Sequence, residues 1–322
     1  MSSILLRKTI EEKIFENFLE YQDLFVETQS HFLTRIYKRY QSLESGNLFL
    51  YFARQAHQDI LRQKDYDLNL NLSLDKFWEN LNLANPKNSS IIKIAKETCL
   101  PKETARRKIL ELVKQKVLSK KNKHIRWLPN DFYKKKYDLF IYDEIKNYSK
   151  LLIFVCKKIN ISISREEVIV ELKKKFNFYW FHYLGAQLEY LKLWSVQLKD
   201  LELVLISLQI LRLLSTKAKE KKLSIEDTLN DPSVIKDFNS ASINATSVSE
   251  VTGIPRATCV RKLSDLVKLK MIGQDTFSKR YYLLPTSISE NLISKEVTLK
   301  ITKTFSEFYF ICLRGITSKF LS

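Results

Sequence analysis

The chain has 322 residues, 45% of them apolar, and 54 Lys and Arg against 36 Asp and Glu give a formal net charge of +18. That length suggests two domains with packed cores, and five glycines and six prolines point to long helices rather than an all-β fold. Cys99, Cys156, Cys259 and Cys312 make no CxxC pair and no zinc-like Cys/His spacing, which excludes a disulfide scaffold or zinc module. They read as reduced thiols of a cytoplasmic protein. The sequence has no phosphate loop, nucleophile elbow or metalloprotease motif, so neither an enzyme nor a cofactor or metal is expected. The N-terminus lacks a signal-peptide core. The longest apolar run, Leu201–Leu214, is interrupted by Glu202 and Arg212, so it predicts a buried helix and no membrane span.

In chain order, Ile10, Ile14, Phe18, Tyr21 and Phe25 recur at helical spacing and predict a helix over residues 4–26. A second helix is expected from about Thr28 to Gln41, a break at Ser45-Gly46-Asn47, and another helix over Leu48–Gln63. Asp65–Ser73 alternates polar residues and reads as loop. Leu74–Leu83 predicts a short helix, followed by a linker at Asn85-Pro86-Lys87-Asn88.

The next stretch, Leu100-Pro-Lys-Glu-Thr-Ala-Arg-Arg-Lys-Ile-Leu-Glu-Leu-Val-Lys-Gln-Lys-Val-Leu118, returns 154 residues later without a gap. The second copy is Ile254-Pro-Arg-Ala-Thr-Cys-Val-Arg-Lys-Leu-Ser-Asp-Leu-Val-Lys-Leu-Lys-Met-Ile272, and eight of the 19 positions are identical. Each copy predicts a helix with proline in its first position. Ala105, Ile109, Leu112 and Val113 form one apolar stripe, repeated by Cys259, Leu263, Leu266 and Val267. The opposite face carries Glu103, Arg107, Leu110 and Lys114 beside Thr104. In the second copy it carries Ala257, Arg261, Ser264 and Lys268 beside Thr258. A helix whose front end exposes Thr and Arg among other basic residues suits the DNA major groove.

The flanks are consistent with that. Ser247-Val-Ser-Glu250 reads as a capping box opening a short helix, and Thr252-Gly253 supplies a turn in which glycine takes positive φ. Gln274–Pro285 reads as a hairpin with a polar tip, and Lys120–Pro129 as its shorter partner in the first copy. Helix, tight turn, basic helix and hairpin together resemble the winged helix-turn-helix of MarR/IclR-type bacterial transcription regulators, with Gly253-Ile-Pro-Arg-Ala-Thr258 as the entry and Arg261-Lys-Leu-Ser-Asp-Leu266 on the helix. The resemblance covers about 45 residues in each copy. The first copy departs from it at Cys99, where the second has Gly253, and at Glu103, a carboxylate on the DNA-facing side.

Residues 101–126 hold ten Lys/Arg and two Glu, and residues 255–280 hold seven Lys/Arg and two Asp, so these 52 residues carry +13 of the +18. Such concentration is the footprint of a nucleic-acid binder. Arg107, Arg261, Thr104 and Thr258 are expected at base edges, with Glu103, Arg106, Ala257 and Ser264 beside them. Lys102, Arg256, Lys108, Lys262, Lys114 and Lys268 are expected at phosphates. Lys120, Lys121, Lys123 and Arg126 on the first hairpin and Lys279 and Arg280 on the second are expected to join them.

Asp131 predicts a long helix to about Lys158. Beyond it, Ile10–Phe15 pairs with Ser164–Ile169, and Gly46–Tyr51 with Asp200–Leu205, at the same offset of 154. Asn160–Ser164 is the expected junction. Phe176-Asn-Phe-Tyr-Trp-Phe-His-Tyr183 reads mainly as a helix–helix core, and alternatively as a wall of a small-molecule effector pocket between the halves. His182 is expected to be a helix residue with a satisfied ring nitrogen. The fold expected is mainly α and internally duplicated: residues 1–158 with a winged helix-turn-helix at about 89–129, and residues 159–322 with another at about 243–285. The partner expected is double-stranded DNA, read by a monomeric pseudo-dimer or a homodimer acting as a transcription regulator. A plasmid- or phage-type replication initiator and a winged-helix protein-interaction scaffold are the alternatives.

Overall fold

The computed structural model describes residues 3–63, 72–81, 89–121, 124–220, 242–284 and 295–317. It is mainly helical, with two small antiparallel sheets of two strands each. The first part of the chain forms α1 (Ser3–Glu16), α2 (Phe18–Tyr40), α3 (Leu43–Gln63), α4 (Leu74–Leu81), α5 (Ile91–Thr98), α6 (Lys102–Lys114), β1 (Leu118–Lys121), β2 (His124–Trp127) and α7 (Asp131–Lys158). The remainder forms α8 (Arg165–Lys174), α9 (Phe176–Leu198), α10 (Leu201–Glu220), α11 (Ala245–Thr252), α12 (Arg256–Lys268), β3 (Ile272–Gln274), β4 (Tyr281–Leu283) and α13 (Lys295–Thr317). Among the described residues no helix is long and apolar enough to cross a membrane.

Several boundaries differ from the sequence expectation. The helix expected over residues 4–26 divides at Asn17, and α2 absorbs the one expected from Thr28. The break expected at Ser45-Gly46-Asn47 is instead the second turn of α3. Those residues are buried, and Asn47 Nδ2 donates to the backbone oxygen of Thr98 at 2.9 Å. The chain turns at Gln41, which takes φ 54° and donates its N–H to Tyr37. α7 has the expected span, with the Asn130 side chain accepting from Tyr133 N at 3.1 Å. The expected linker at 85–88 and most of the 65–73 loop lie outside the described residues.

The contacts divide the chain into two compact units. One comprises Met1–Glu16, Glu44–Val196 and Ile301–Ser322; the other comprises Asn17–Leu43 and Gln197–Lys300. Each unit draws on both sequence halves. α8 and α9 pack with elements of the first half, and α2 packs with elements of the second. The boundary expected near 158/159 separates two runs of similar element order, whereas the units are what packs together.

The first unit is built on aromatic rings. Phe49, Phe77, Trp127, Tyr137, Phe176 and Trp180 are all buried. His57 stacks on Phe77 with centroids 4.2 Å apart and planes 11° off parallel. The polar ends of the rings find partners: Trp180 Nε1 donates to Tyr137 Oη at 2.5 Å, Trp78 Nε1 to Asp138 at 2.8 Å and Tyr183 Oη to Glu144 at 2.8 Å. The stretch Phe176–Tyr183 therefore lies in this core, with Phe176, Tyr179, Trp180 and Tyr183 inward. His182 sits beside the rings of Phe178 and Phe181, and burial followed by the nearby Arg54 charge pushes it down to about 4. Its expected hydrogen bond is not found among the described residues.

In the second unit α2 packs along α10. Leu203–Ile210 of α10 is continuously buried, as the apolar run 201–214 predicts. Gln209 donates to Ser30 Oγ at 2.9 Å, and Ser215 donates to Asp23. α11, α12 and β4 also pack on α10. Ile243 and Tyr281 exchange backbone bonds of 2.9 and 2.8 Å, adding a short third edge to β3–β4.

The element order recurs with a measurable register. α2 and α9 are each 23 residues long, and both their ends lie 158 positions apart. α3 and α10 start 158 apart, and so do the left-handed residues Gln41 and Lys199 that precede them. The left-handed pairs Cys99/Gly253 and Lys116/Lys270 are 154 apart. The pairings of Ile10–Phe15 with Ser164–Ile169 and of Gly46–Tyr51 with Asp200–Leu205 are therefore one helical turn out of step with the helix boundaries.

Candidate nucleic-acid interface

Both copies of the repeated stretch fold into the same local sequence of events. In the first unit Ser90 caps α5, its side chain accepting from Lys93 N at 3.2 Å. α5 ends at Cys99 with φ 52°, and Leu100 N donates to Ala95 O at 3.1 Å, a left-handed helix stop. In the second unit the helix before the turn starts at Ala245. Its cap is Asn244, which accepts from Ser247 N at 2.8 Å, so the capping box expected at Ser247–Glu250 lies inside α11. α11 stops at Gly253, φ 79°, and a β-carbon there would meet Lys38 Cγ at 3.1 Å. Glycine removes both the backbone penalty and that contact, whereas Cys99 carries its side chain into the left-handed region.

Proline stands one residue earlier than expected. Pro101 and Pro255 are the N-caps of α6 and α12, with ψ 139° and 136°. Their carbonyls accept the first helical bonds, from Ala105 and Cys259, at 2.9 Å each. Neither proline has an N–H to leave unsatisfied.

Most of each predicted stripe turns inward: Ala105, Ile109 and Leu112 on α6, and Cys259, Leu263 and Leu266 on α12, are buried, while Val113 and Val267 at their ends are half-buried. The opposite face of α6 exposes Lys102, Glu103, Arg106, Arg107 and Lys114, with Thr104 half-buried. Here Arg107 lies 3.5 Å from Glu111, and Arg106 lies 3.9 Å from Glu103. These are exposed pairs of small worth that a phosphate or base can displace. On α12 Arg256, Ala257, Arg261 and Lys268 are exposed, while Thr258 and Ser264 are half-buried. Arg256 Nε donates to Thr246 Oγ1 at 3.1 Å, which ties the head of α12 to α11. Among the described residues Arg261 has no carboxylate within ion-pair distance.

Lys262, expected at phosphate, is turned inward. Its side chain is 7% exposed and its ammonium meets Asp200 and, at 3.3 Å, Glu202. It occupies the position between Cys259 and Leu266 in the buried stripe, three and four residues from each, so the helical spacing itself marks it as inward. Lys108 holds the matching position on α6; it is 16% exposed and 3.0 Å from Glu111.

The hairpins differ. In β1–β2 Lys121 pairs with His124 across the tip, and Lys120, Lys121 and Arg126 are exposed; Lys123 lies outside the described residues. In β3–β4 the tip is a folded turn. Asp275 Oδ1 accepts from Phe277 N, Ser278 N and Ser278 Oγ at 3.1, 2.6 and 2.7 Å, which holds its carboxyl below the usual range. Lys279 is exposed with φ 55°. Arg280, expected at phosphate, is tied down by Ser242, with Nε to Oγ at 2.8 Å and Nη2 to the backbone oxygen at 2.6 Å. Its partner is 38 residues away and was not legible in the sequence.

Compared with protein-family models, curated proteins and solved structures, the chain matches none. The candidate site is therefore defined by its own geometry. Among the described residues no group of three His, Cys, Asp or Glu side chains could hold a metal ion. Sequence reasoning passed over Phe277, which is 96% exposed at the second hairpin tip. The signal available was a lone aromatic between two polar turn residues. It took Asn47 for part of a break, whereas Asn47 holds the last carbonyl of α5.

Proposed function

We propose that the chain is a sequence-specific double-stranded DNA-binding transcription regulator carrying two winged helix-turn-helix heads in one duplicated polypeptide. The observation that carries this reading is the pair α6 and α12. Each follows a left-handed stop, buries one apolar stripe and presents exposed arginines on the opposite face, and each is followed by a two-stranded hairpin. The recurrence of helix lengths at a spacing of 158, and of turn geometry at 154, supports an internal duplication. It also supports a chain that supplies covalently what such regulators otherwise assemble as a homodimer. Arg107, Arg261, Thr104 and Thr258 read bases, with Glu103 and Ala257 making the two heads unlike. Lys102, Arg256, Lys114, Lys268, Lys120, Lys121 and Lys279 hold the backbone.

The test is the salt dependence of binding to natural duplex DNA. About six to ten phosphate contacts give a slope of log K on log salt of roughly −5 to −9. A slope shallower than about −2 would instead indicate a protein-binding scaffold.

A further inference from the structure

Phe277 is the most exposed large apolar side chain among the described residues, at 96%. It is not on a loose loop. Asp275 fixes the turn by accepting from the backbone of Phe277 and Ser278 and from the Ser278 hydroxyl. Lys279 N donates to Asp275 O at 3.0 Å, and Asp275 N donates to Arg280 O at 2.9 Å. Gln274 Nε2 closes over Lys279 O at 3.3 Å. At the base of the hairpin the ring of Tyr282 covers Gly273 and would have to shift for any side chain placed there. A hydrogen-bonded turn thus holds an aromatic ring almost fully in water. Ser278 and Lys279, both exposed, follow it, in a stretch of 26 residues carrying net +5.

We propose that Phe277 is a wedge that enters a base step of the DNA minor groove and kinks it beneath the second hairpin. This rests on the DNA-binding reading. An apolar side chain pushed between base pairs unstacks one step, and the bend brings more protein surface onto the backbone. The hydrogen-bonded backbone of the turn means that little loop entropy is lost on insertion. The basic charge around it suits a polyanion. The first hairpin has Lys120-Lys-Asn-Lys-His124 at its tip and no large apolar residue, so only one half of the site is kinked. Pyrimidine–purine steps unstack most easily, so TA or CA/TG is favoured at that one position without any hydrogen bond reading it.

The experiment uses the full chain and a duplex selected from a random pool, with 2-aminopurine placed at successive positions and bending read by circularly permuted fragments. The wild type should raise 2-aminopurine fluorescence at one step and bend the duplex. Phe277→Ala should abolish both and weaken binding about 10-fold while leaving the salt slope unchanged. Phe277→Leu, another apolar wedge, should retain the bend. The side chain is 96% exposed, so both variants should melt as the wild type does. If the wild type binds with a steep salt slope but Phe277→Ala bends and binds the duplex equally well, the wedge is wrong and the DNA reading stands. If the wild type shows no salt-steep DNA binding, both fall, and Phe277 is left as a contact for a protein partner.

Discussion

Lys262 and Glu202 meet inside the second unit, Nζ to Oε2 at 3.3 Å, with Asp200 against the same ammonium. α12 is thereby fastened to α10 by charge as well as by its apolar stripe. Truncating Lys262 leaves two partly buried carboxylates facing each other. Lys262→Ala should therefore cost the second unit about 1–3 kcal/mol, below the full penalty for a deeply buried pair because Asp200 keeps some solvent. Denaturant unfolding of the full chain gives the number. The slope of log K on log salt for DNA should stay as in the wild type, since this lysine holds no phosphate. A variant of unchanged stability with a shallower slope would place Lys262 back at the DNA.

His57 supplies a pH dependence in the first unit. Its Nδ1 lies 2.6 Å from Asn177 Oδ1, an amide oxygen that can only accept, so the ring's proton sits on Nδ1. Nε2 is buried without a partner among the described residues. Desolvation pushes the ring down to about 3, against a hydrogen bond that acts the other way. The folded value lies below the unfolded value of about 6.5, so the unfolded state takes up the proton first. Stability is then full above about pH 6.5 and falls as pH drops from there toward 3. At pH 5 the loss should be about 2 kcal/mol. His57→Gln should flatten this acid slope, whatever its effect at pH 7. Thermal melts of both proteins from pH 7 to pH 4.5 decide it, and parallel curves would remove His57 as the cause.

The interleaving of the units gives a third expectation. The junction at residues 159–164 is a short connector, with Asn160 at φ 59°. A chain cut there leaves α2 in one fragment and its packing partner α10 in the other, and separates α9 from the core rings of Phe49 and Phe77. The nicked protein should therefore stay together through size-exclusion chromatography, and neither half expressed alone should show a cooperative melt. Two folded, separable halves would mean that the sequence halves, not the interleaved units, are the folding domains.

Local periodicity carried much of the fold. The stripes of α6 and α12, the continuous burial of α10 and the span of α7 were legible because each depends on residues within a few turns of one helix. Failures came where distant partners decide. Gly46 and Asn47 look like a break, yet tertiary burial and a bond to Thr98 override their weak helix propensity. Arg280 looks like a phosphate ligand until Ser242 folds back beside it. Lys262 is different: its charge suggests the surface, yet the spacing Cys259, Lys262, Leu263, Leu266 puts it inward. Cys99 shows the opposite balance: a residue that disfavours the left-handed region adopts it in the tight turn between the end of α5 and Pro101, the N-cap of α6.

The two heads should not read the same bases. α6 exposes Glu103 and Arg106 where α12 exposes Ala257 and Val260. A carboxylate in the groove can accept from cytosine N4 and repels nearby phosphate, while alanine and valine offer only apolar contact, for instance to a thymine methyl. Arg107 shares its guanidinium with Glu111 at 3.5 Å, whereas Arg261 is unengaged by any carboxylate among the described residues. Under the proposed function the best site should be an imperfect repeat, alike opposite Arg107 and Arg261 and unlike beside them. Arg261→Ala should cost about 1–3 kcal/mol of binding and relax preference in one half-site only. Lys268 is 77% exposed and, among the described residues, pairs only with Asp265. Its removal should weaken every sequence alike and reduce the salt slope by about 1. Selection on random duplexes with the wild type and both variants reads all of this at once. A perfect palindrome, or an Arg261→Ala protein whose two half-sites stay equally sharp, would mean that α6 and α12 do not act as separate readers.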